Sequence, residues 1–123
     1  MIAETPGGPV GTFLIVLKQV VVAQDIALTL SDLNPAAQVV VASSHSEALA
    51  ALAAVSSVAL AIVNDGPQSF PHSDLCHAIT LRGGRVVLVG TEAEDAGEAA
   101  GWQVLHRPFT SDAVLALLKP VSV

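Results

Sequence analysis

The stretch "VALAIVNDGP", residues 58–67, is an apolar run closed by an Asn-Asp pair and a Gly-Pro turn. A continuous apolar run of this length, bounded by turn residues, predicts a strand buried on both faces rather than one alternating between core and water. Four further runs have the same character: "TFLIVL" (12–17), "QVVVAS" (38–43), "RVVLVG" (85–90) and the weaker "WQVL" (102–105). The segments between them have helical signals. Residues 19–33 space Val22, Ile26 and Leu30 along one helical face, with Asn34-Pro35 as the stop. "SHSEALAALAAV" offers Ser44 or Ser46 as N-cap and Glu47 in the first turn. A third helix follows Phe70, with Pro71 near its first turn and Gly83-Gly84 ending it. "EAEDAGEAA" (92–100) is a weak acidic fourth, interrupted by Gly97, and "SDAVLALLK" (111–119) a fifth, capped by Thr110 or Ser111. Five strand-helix pairs in alternation predict a doubly wound, five-stranded parallel α/β sheet of flavodoxin-like order 2-1-3-4-5.

The bulk numbers fit one domain. The chain has 123 residues, 52% of them apolar and only 3% aromatic, so Ala, Val and Leu must build the core. Only 13% are charged, against about a quarter in an ordinary domain, which favours a folded chain with some apolar surface left for a partner. The Gly- and Pro-rich residues 1–11 are expected to be a flexible lead-in to a single domain over 12–120. Five basic against eleven acidic residues give a net charge of −6, which excludes a basic nucleic-acid-binding face. The single cysteine cannot form an internal disulfide, as suits the cytoplasm. The start lacks the pattern of a signal peptide, and the longest apolar run, broken by Lys18 and Gln19, is too short for a bilayer, so no membrane role is expected.

The segment "HRPFTSDAVLALL" (106–118) resembles the fifth strand and helix of response-regulator receiver domains, which carry Lys-Pro-Phe there. The likeness extends from about Thr12 to Leu118. "TFLIVLKQVVVAQDIALTL" is similar to the family's first strand, acidic pair and first helix; "VALAIVNDGPQSFP" stands at its phospho-accepting strand, and "RVVLVGT" at its fourth strand, which ends in Thr or Ser. The departures concern the chemistry. Where the resemblance places carboxylates that hold Mg²⁺, this chain has Leu17, Lys18 and Gln19. A hard dication needs charged oxygen ligands, and an ammonium repels it by roughly 4 kcal/mol per charge pair at about 4 Å. The acceptor position falls on Asn64, whose amide cannot form an acyl phosphate. Asp65 lies one residue later, on the opposite face of an extended strand, and recovers the role only if the strand ends early or a bulge re-aims it. Arg107 stands where the family has its phosphoryl-contacting Lys, and Thr91 follows Gly90 at the switch position.

Plainer readings apply to several of these residues. Asn64-Asp65-Gly66-Pro67 is a turn on residue types alone. Lys18 is either solvated or paired with Asp65, its ammonium replacing the metal's charge. His45, His72, His77 and His106 are scattered, and His72 and His77 lack the spacing of a metal pair, so no metal and no cofactor is expected. Cys76 is expected to be a small buried residue, and "RGGR" (82–85) a helix stop with two solvated arginines. No nucleophile-base pair is legible, so the chain is not expected to be an enzyme.

The resemblance therefore implies a stand-alone pseudo-receiver, a two-component signalling domain that acts by protein–protein interaction without ordinary phosphorylation. Its implied partner is a signalling protein, such as a histidine kinase or another regulator. The implied face comprises the fourth helix, fifth strand and fifth helix, where Glu94, Trp102, Arg107, Phe109 and Ala113 are the candidate interface residues; a homodimer through that face is a further expectation. Two alternatives stand beside it: a phosphorylatable regulator using Asp65, and a flavodoxin-like small-molecule binder at the strand ends.

Overall fold

The computed structural model describes residues 12–33, 35, 37–107 and 109–118. The expected lead-in, 1–11, and the last residues of the expected domain, Lys119 and Pro120, lie outside the described residues. The apolar runs form five strands: β1 (Thr12–Val16), β2 (Gln38–Ala42), β3 (Val58–Asn64), β4 (Arg85–Val89) and β5 (Gln103–Val104). All pairings are parallel and the order is β2-β1-β3-β4-β5, the predicted doubly wound sheet. The helices are α1 (Val20–Leu33), α2 (His45–Leu52), α3 (Asp74–Leu81), α4 (Thr91–Ala96) and α5 (Ser111–Leu118).

Each face of the sheet carries its own core, as doubly wound sheets require. Phe13, Ile15, Leu60, Ile62, Val87 and Val89 meet Ala23, Ile26 and Leu30 of α1 and Val114 of α5. On the other face Leu14, Val16, Ala61, Val63 and Leu88 meet Ala48 and Leu52 of α2 and Leu75 and Ile79 of α3, with Phe70 fully enclosed.

Local chemistry sets the helix starts. Ser44 is the cap of α2: its Oγ accepts from Glu47 N–H at 3.2 Å, while Glu47 Oε1 accepts from Ser43 N–H at 2.9 Å. That backbone donor holds the Glu47 carboxyl below its ordinary range. Thr110 Oγ1 accepts from Ala113 N–H and opens α5. The third helix departs from the sequence reading. Pro71 sits in a single 3-10 turn over Phe70–His72, and α3 starts only at Asp74, with Ser73 as its cap accepting from Cys76 N–H. Ser73 competes successfully with continuation of the turn. Nor is Arg82 solvated: its Nε donates to Val55 O at 2.8 Å and its Nη1 to Ala78 O at 2.9 Å, tying the end of α3 to the loop before β3.

Candidate functional site

A parallel sheet concentrates its loop chemistry at the carboxyl ends of its strands. Two clefts open there. The first, of about 290 Å³, is lined by Leu17 and Gln19 after β1, Asn64 and Asp65 at the end of β3, Val89, Gly90, Thr91 and Glu92 after β4, and Arg107 and Phe109 after β5. The second, of about 380 Å³, lies between Val16 and Lys18, the Ser43–Ser44–His45 turn, and Asn64 and Asp65.

β3 runs to Asn64 without interruption, in register with β4: Val63 faces Leu88 and Asn64 faces Val89. The strand neither ends early nor bulges at this point, so the two conditions for re-aiming Asp65 are not met. Asn64 is exposed, and its Oδ1 lies 2.7 Å from where a Cβ on Gly90 would stand. Gly90 has φ of +111°, so both its backbone and its neighbour favour glycine.

Asp65 is more enclosed than Asn64, and both its oxygens have partners. Oδ1 accepts from Gly66 N–H at 2.7 Å and from Ser69 Oγ at 2.8 Å. Oδ2 lies 3.0 Å from His45 Nε2. Of the two readings of Lys18 the structure has the solvated one: Lys18 is exposed in the bend after β1, and the side chain that meets Asp65 is His45. The physical reason is reach. The Ser44 cap fixes the first turn of α2 directly over the end of β3, placing a short, rigid imidazole beside the carboxylate. Behind it, the His45 ring stands edge-on to Phe70 at 6.2 Å, and Phe70 edge-on to Trp102 at 5.7 Å. Trp102 is thus half-buried on the core beside α4.

Arg107 is also engaged. Its Nε donates to Glu94 Oε2 at 3.0 Å and its Nη2 to Glu94 Oε1 at 3.1 Å, the parallel two-point geometry in which guanidinium and carboxylate bind best. Its backbone N–H reaches the same Oε2, and Nη2 lies 3.4 Å from Thr91 Oγ1. The Arg107 donors pull the Glu94 carboxyl down to about 2, and the Glu94 carboxylate in turn raises Arg107. Two residues named separately as interface candidates therefore neutralise each other. Phe109 and Ala113 are half-buried and pack on the core beneath α1.

The carboxylates that line the first cleft are Asp65 and Glu92, and the positions after β1 add none. Leu17 is buried, Lys18 repels a cation, Gln19 and Asn64 supply neutral amides, and the oxygens of Asp65 are committed. Among the described residues no three His, Cys, Asp or Glu side chains converge on one point. Sequence reasoning missed His45 and Ser69 as partners of Asp65. The Ser-His-Ser-Glu cap signal placed His45 at a helix start, but not against a strand twenty residues later.

No protein-family profile matches the sequence, and no curated protein does. Solved structures do resemble the fold. The chemotaxis response regulator CheY4 of Vibrio cholerae superposes with a TM-score of 0.65 at 20% identity, over 89% of this chain and 97% of that one. A protein described as a response regulator from Chloroflexus aurantiacus gives 0.61 at 23% identity, over 90% and 96%. A chain described as adenylate cyclase from Rhodopirellula baltica gives 0.64 at 17% identity, over 87% and 83%. At these identities the likeness is one of fold: the five-stranded architecture is that of CheY-like receivers. No helix among the described residues is long and apolar enough to cross a membrane.

Proposed function

We propose that this chain is a receiver-like signalling domain that works through protein contact, without accepting a phosphoryl group and without catalysing a reaction. The observation that carries this reading is the state of Asp65. Transfer to a carboxylate needs one oxygen free to attack phosphorus and a cation to balance the incoming charge. Here Oδ1 holds Gly66 and Ser69, Oδ2 holds His45, and Arg107 is clamped on Glu94. Asn64, Leu17, Lys18 and Gln19, at the other strand-end positions, add no carboxylate to the site. The receiver fold of the structural neighbours supports the signalling role, and it supports proteins as the partners.

The partner face on this reading is α4, β5 and α5. Glu92, Glu94, Asp95 and Glu98 make α4 and the turn after it acidic, with Arg107 as the adjoining cation. A partner with a basic contact surface suits that balance. The test is intact-mass spectrometry of the full chain after incubation with Mg²⁺ and a small-molecule phosphodonor. The unmodified mass is expected. A phosphoryl adduct that disappears in Asp65→Asn overturns the proposal in favour of a phosphorylatable regulator.

A further inference from the structure

We infer that Asp65-Gly66 is a self-modifying site, at which the folded chain closes a succinimide ring and reopens it as isoaspartate. The reaction needs a carboxyl carbon, the amide nitrogen of the next residue beside it, and no side chain obstructing that nitrogen. The sequence offers this combination once. Asp25, Asp32, Asp74, Asp95 and Asp112 precede Ile, Leu, Leu, Ala and Ala, whereas Asp65 precedes glycine. The asparagines, whose amides close the same ring, precede Pro35, which has no N–H, and the branched side chain of Asp65.

The structure assembles the rest. Gly66 N–H donates to Asp65 Oδ1 at 2.7 Å, so the attacking nitrogen is already held on the carboxyl group of the residue before it. Holding the two reacting groups together replaces a search through rotamers with a fixed geometry. Ser69 Oγ donates to the same oxygen at 2.8 Å. As the nitrogen bonds to Cγ, negative charge gathers on the carboxyl oxygens, and a donor fixed there stabilises the tetrahedral adduct. On the other side, His45 Nε2 lies 3.0 Å from Oδ2, the oxygen that leaves. Packing favours the glycine too, since a Cβ on Gly66 would stand 2.9 Å from Glu92 Oε1.

The reaction is a dehydration followed by a hydrolysis. The bond from Gly66 N to Asp65 Cγ forms, and the bond from Cγ to Oδ2 breaks. Oδ2 departs as water, carrying the Gly66 amide proton and a second proton that His45 Nε2–H is placed to give; the imidazole recovers its proton from solvent. Water then enters from the second cleft, which Asp65 lines, and opens the ring. Opening at Cγ restores aspartate. Opening at the main-chain carbonyl leaves isoaspartate, with the chain now running through the former side chain. That product adds a methylene to the backbone just after β3 and moves the free carboxylate away from Ser69 and His45, so the turn between the two clefts loses its ties. The step transfers no phosphoryl group and needs no partner, so it stands apart from the proposed signalling role.

The experiment is ageing of the full chain in neutral buffer, with and without denaturing guanidinium chloride. Proteolysis and electron-transfer fragmentation then separate the two linkages at each aspartate. Isoaspartate is expected at residue 65 alone, accumulating faster in the folded chain than in the denatured one. Ser69→Ala removes an exposed hydroxyl that donates to Oδ1; it is expected to slow accumulation in the folded chain and leave the denatured rate unchanged. Absence of isoaspartate at residue 65 overturns the inference. So does a denatured rate equal to or above the folded one, because the hydrogen bonds then protect the carboxyl instead of activating it. An unchanged folded rate in Ser69→Ala overturns it as well. The comparison of folded and denatured parent chain stands even if the variant fails to fold. Isoaspartate has the mass of the parent residue, so its formation is distinct from any phosphoryl adduct.

Discussion

Replacing Asp65 with alanine separates a structural carboxylate from a reactive one. The structure gives the side chain three partners: Gly66 N–H at 2.7 Å, Ser69 Oγ at 2.8 Å and His45 Nε2 at 3.0 Å. A hydrogen bond to a charged group contributes about 1.5–3 kcal/mol when shielded from water. The Asp65 side chain is 18% exposed and that of His45 40%, so solvent screens their contact to about 0–1 kcal/mol. Ser69 is exposed and its hydroxyl recovers water on deletion. Gly66 is buried, and its stranded N–H carries most of the cost. Together these give a loss of about 2 kcal/mol for Asp65→Ala. For Asp65→Asn, which keeps one acceptor oxygen, about 1 kcal/mol is expected. Urea unfolding followed by far-ultraviolet circular dichroism reads both, with an unchanged slope on denaturant. A double-mutant cycle with His45→Ala should return a coupling of up to about 1 kcal/mol. The reasoning is refuted if Asp65→Ala is as stable as the parent or more so. That is the outcome for a carboxylate held among others of like charge awaiting a cation, whose removal relieves repulsion.

Three other outcomes follow from the same geometry. Glu94 has its folded-state pKa lowered to about 2 by the Arg107 donors, from an ordinary value of 4.5; its contribution to stability is therefore complete above about 4.5 and lost as pH falls toward 2. Carbon-detected NMR titration of the Glu94 carboxyl checks this, and in Arg107→Gln the midpoint should return toward 4.5. Gly90→Ala should cost about 1–3 kcal/mol, because φ of +111° strains an L-residue and the new Cβ would stand 2.7 Å from Asn64 Oδ1; thermal unfolding reads it. Phe70→Ala should cost about 3–5 kcal/mol, since the ring is fully buried between His45 and Trp102, and should shift Trp102 emission to longer wavelength in the folded state.

The fold was legible because its signal is local and redundant. Each buried strand is a short run of Val, Ile, Leu and Ala, and the predicted limits of β1, β2, β3 and β4 fall within a residue of those observed. Boundaries slipped where two local devices compete, as at Pro71 and Ser73, where the proline takes a 3-10 turn and the serine starts the helix. The strand-end site was legible as a set of positions but not as a set of partnerships. The nearness of Leu17, Gln19, Asn64, Thr91 and Arg107 follows from strand order alone. Which side chain each carboxylate meets depends on loop geometry between elements far apart in sequence. Asp65 took His45 from α2, and Arg107 took Glu94 across thirteen residues. The apolar surface anticipated from composition is present, but its large exposed residues, Val20, Val21, Leu28, Val41 and Leu81, lie on α1, β2 and the end of α3. No residue-type pattern distinguishes those valines from buried ones, because both belong to continuous apolar runs.

The central claim is that the strand-end site takes up neither a divalent cation nor a phosphoryl group. Amide NMR spectra of the full chain, recorded without and with millimolar Mg²⁺ and then with beryllofluoride, which mimics a phosphoryl group on a carboxylate, test it most directly. The account predicts unchanged resonances for Asn64, Asp65, Thr91 and Arg107 through both additions. Saturable shifts centred on Asp65 and spreading to Thr91 and Arg107 would contradict it and make Asp65 an acceptor.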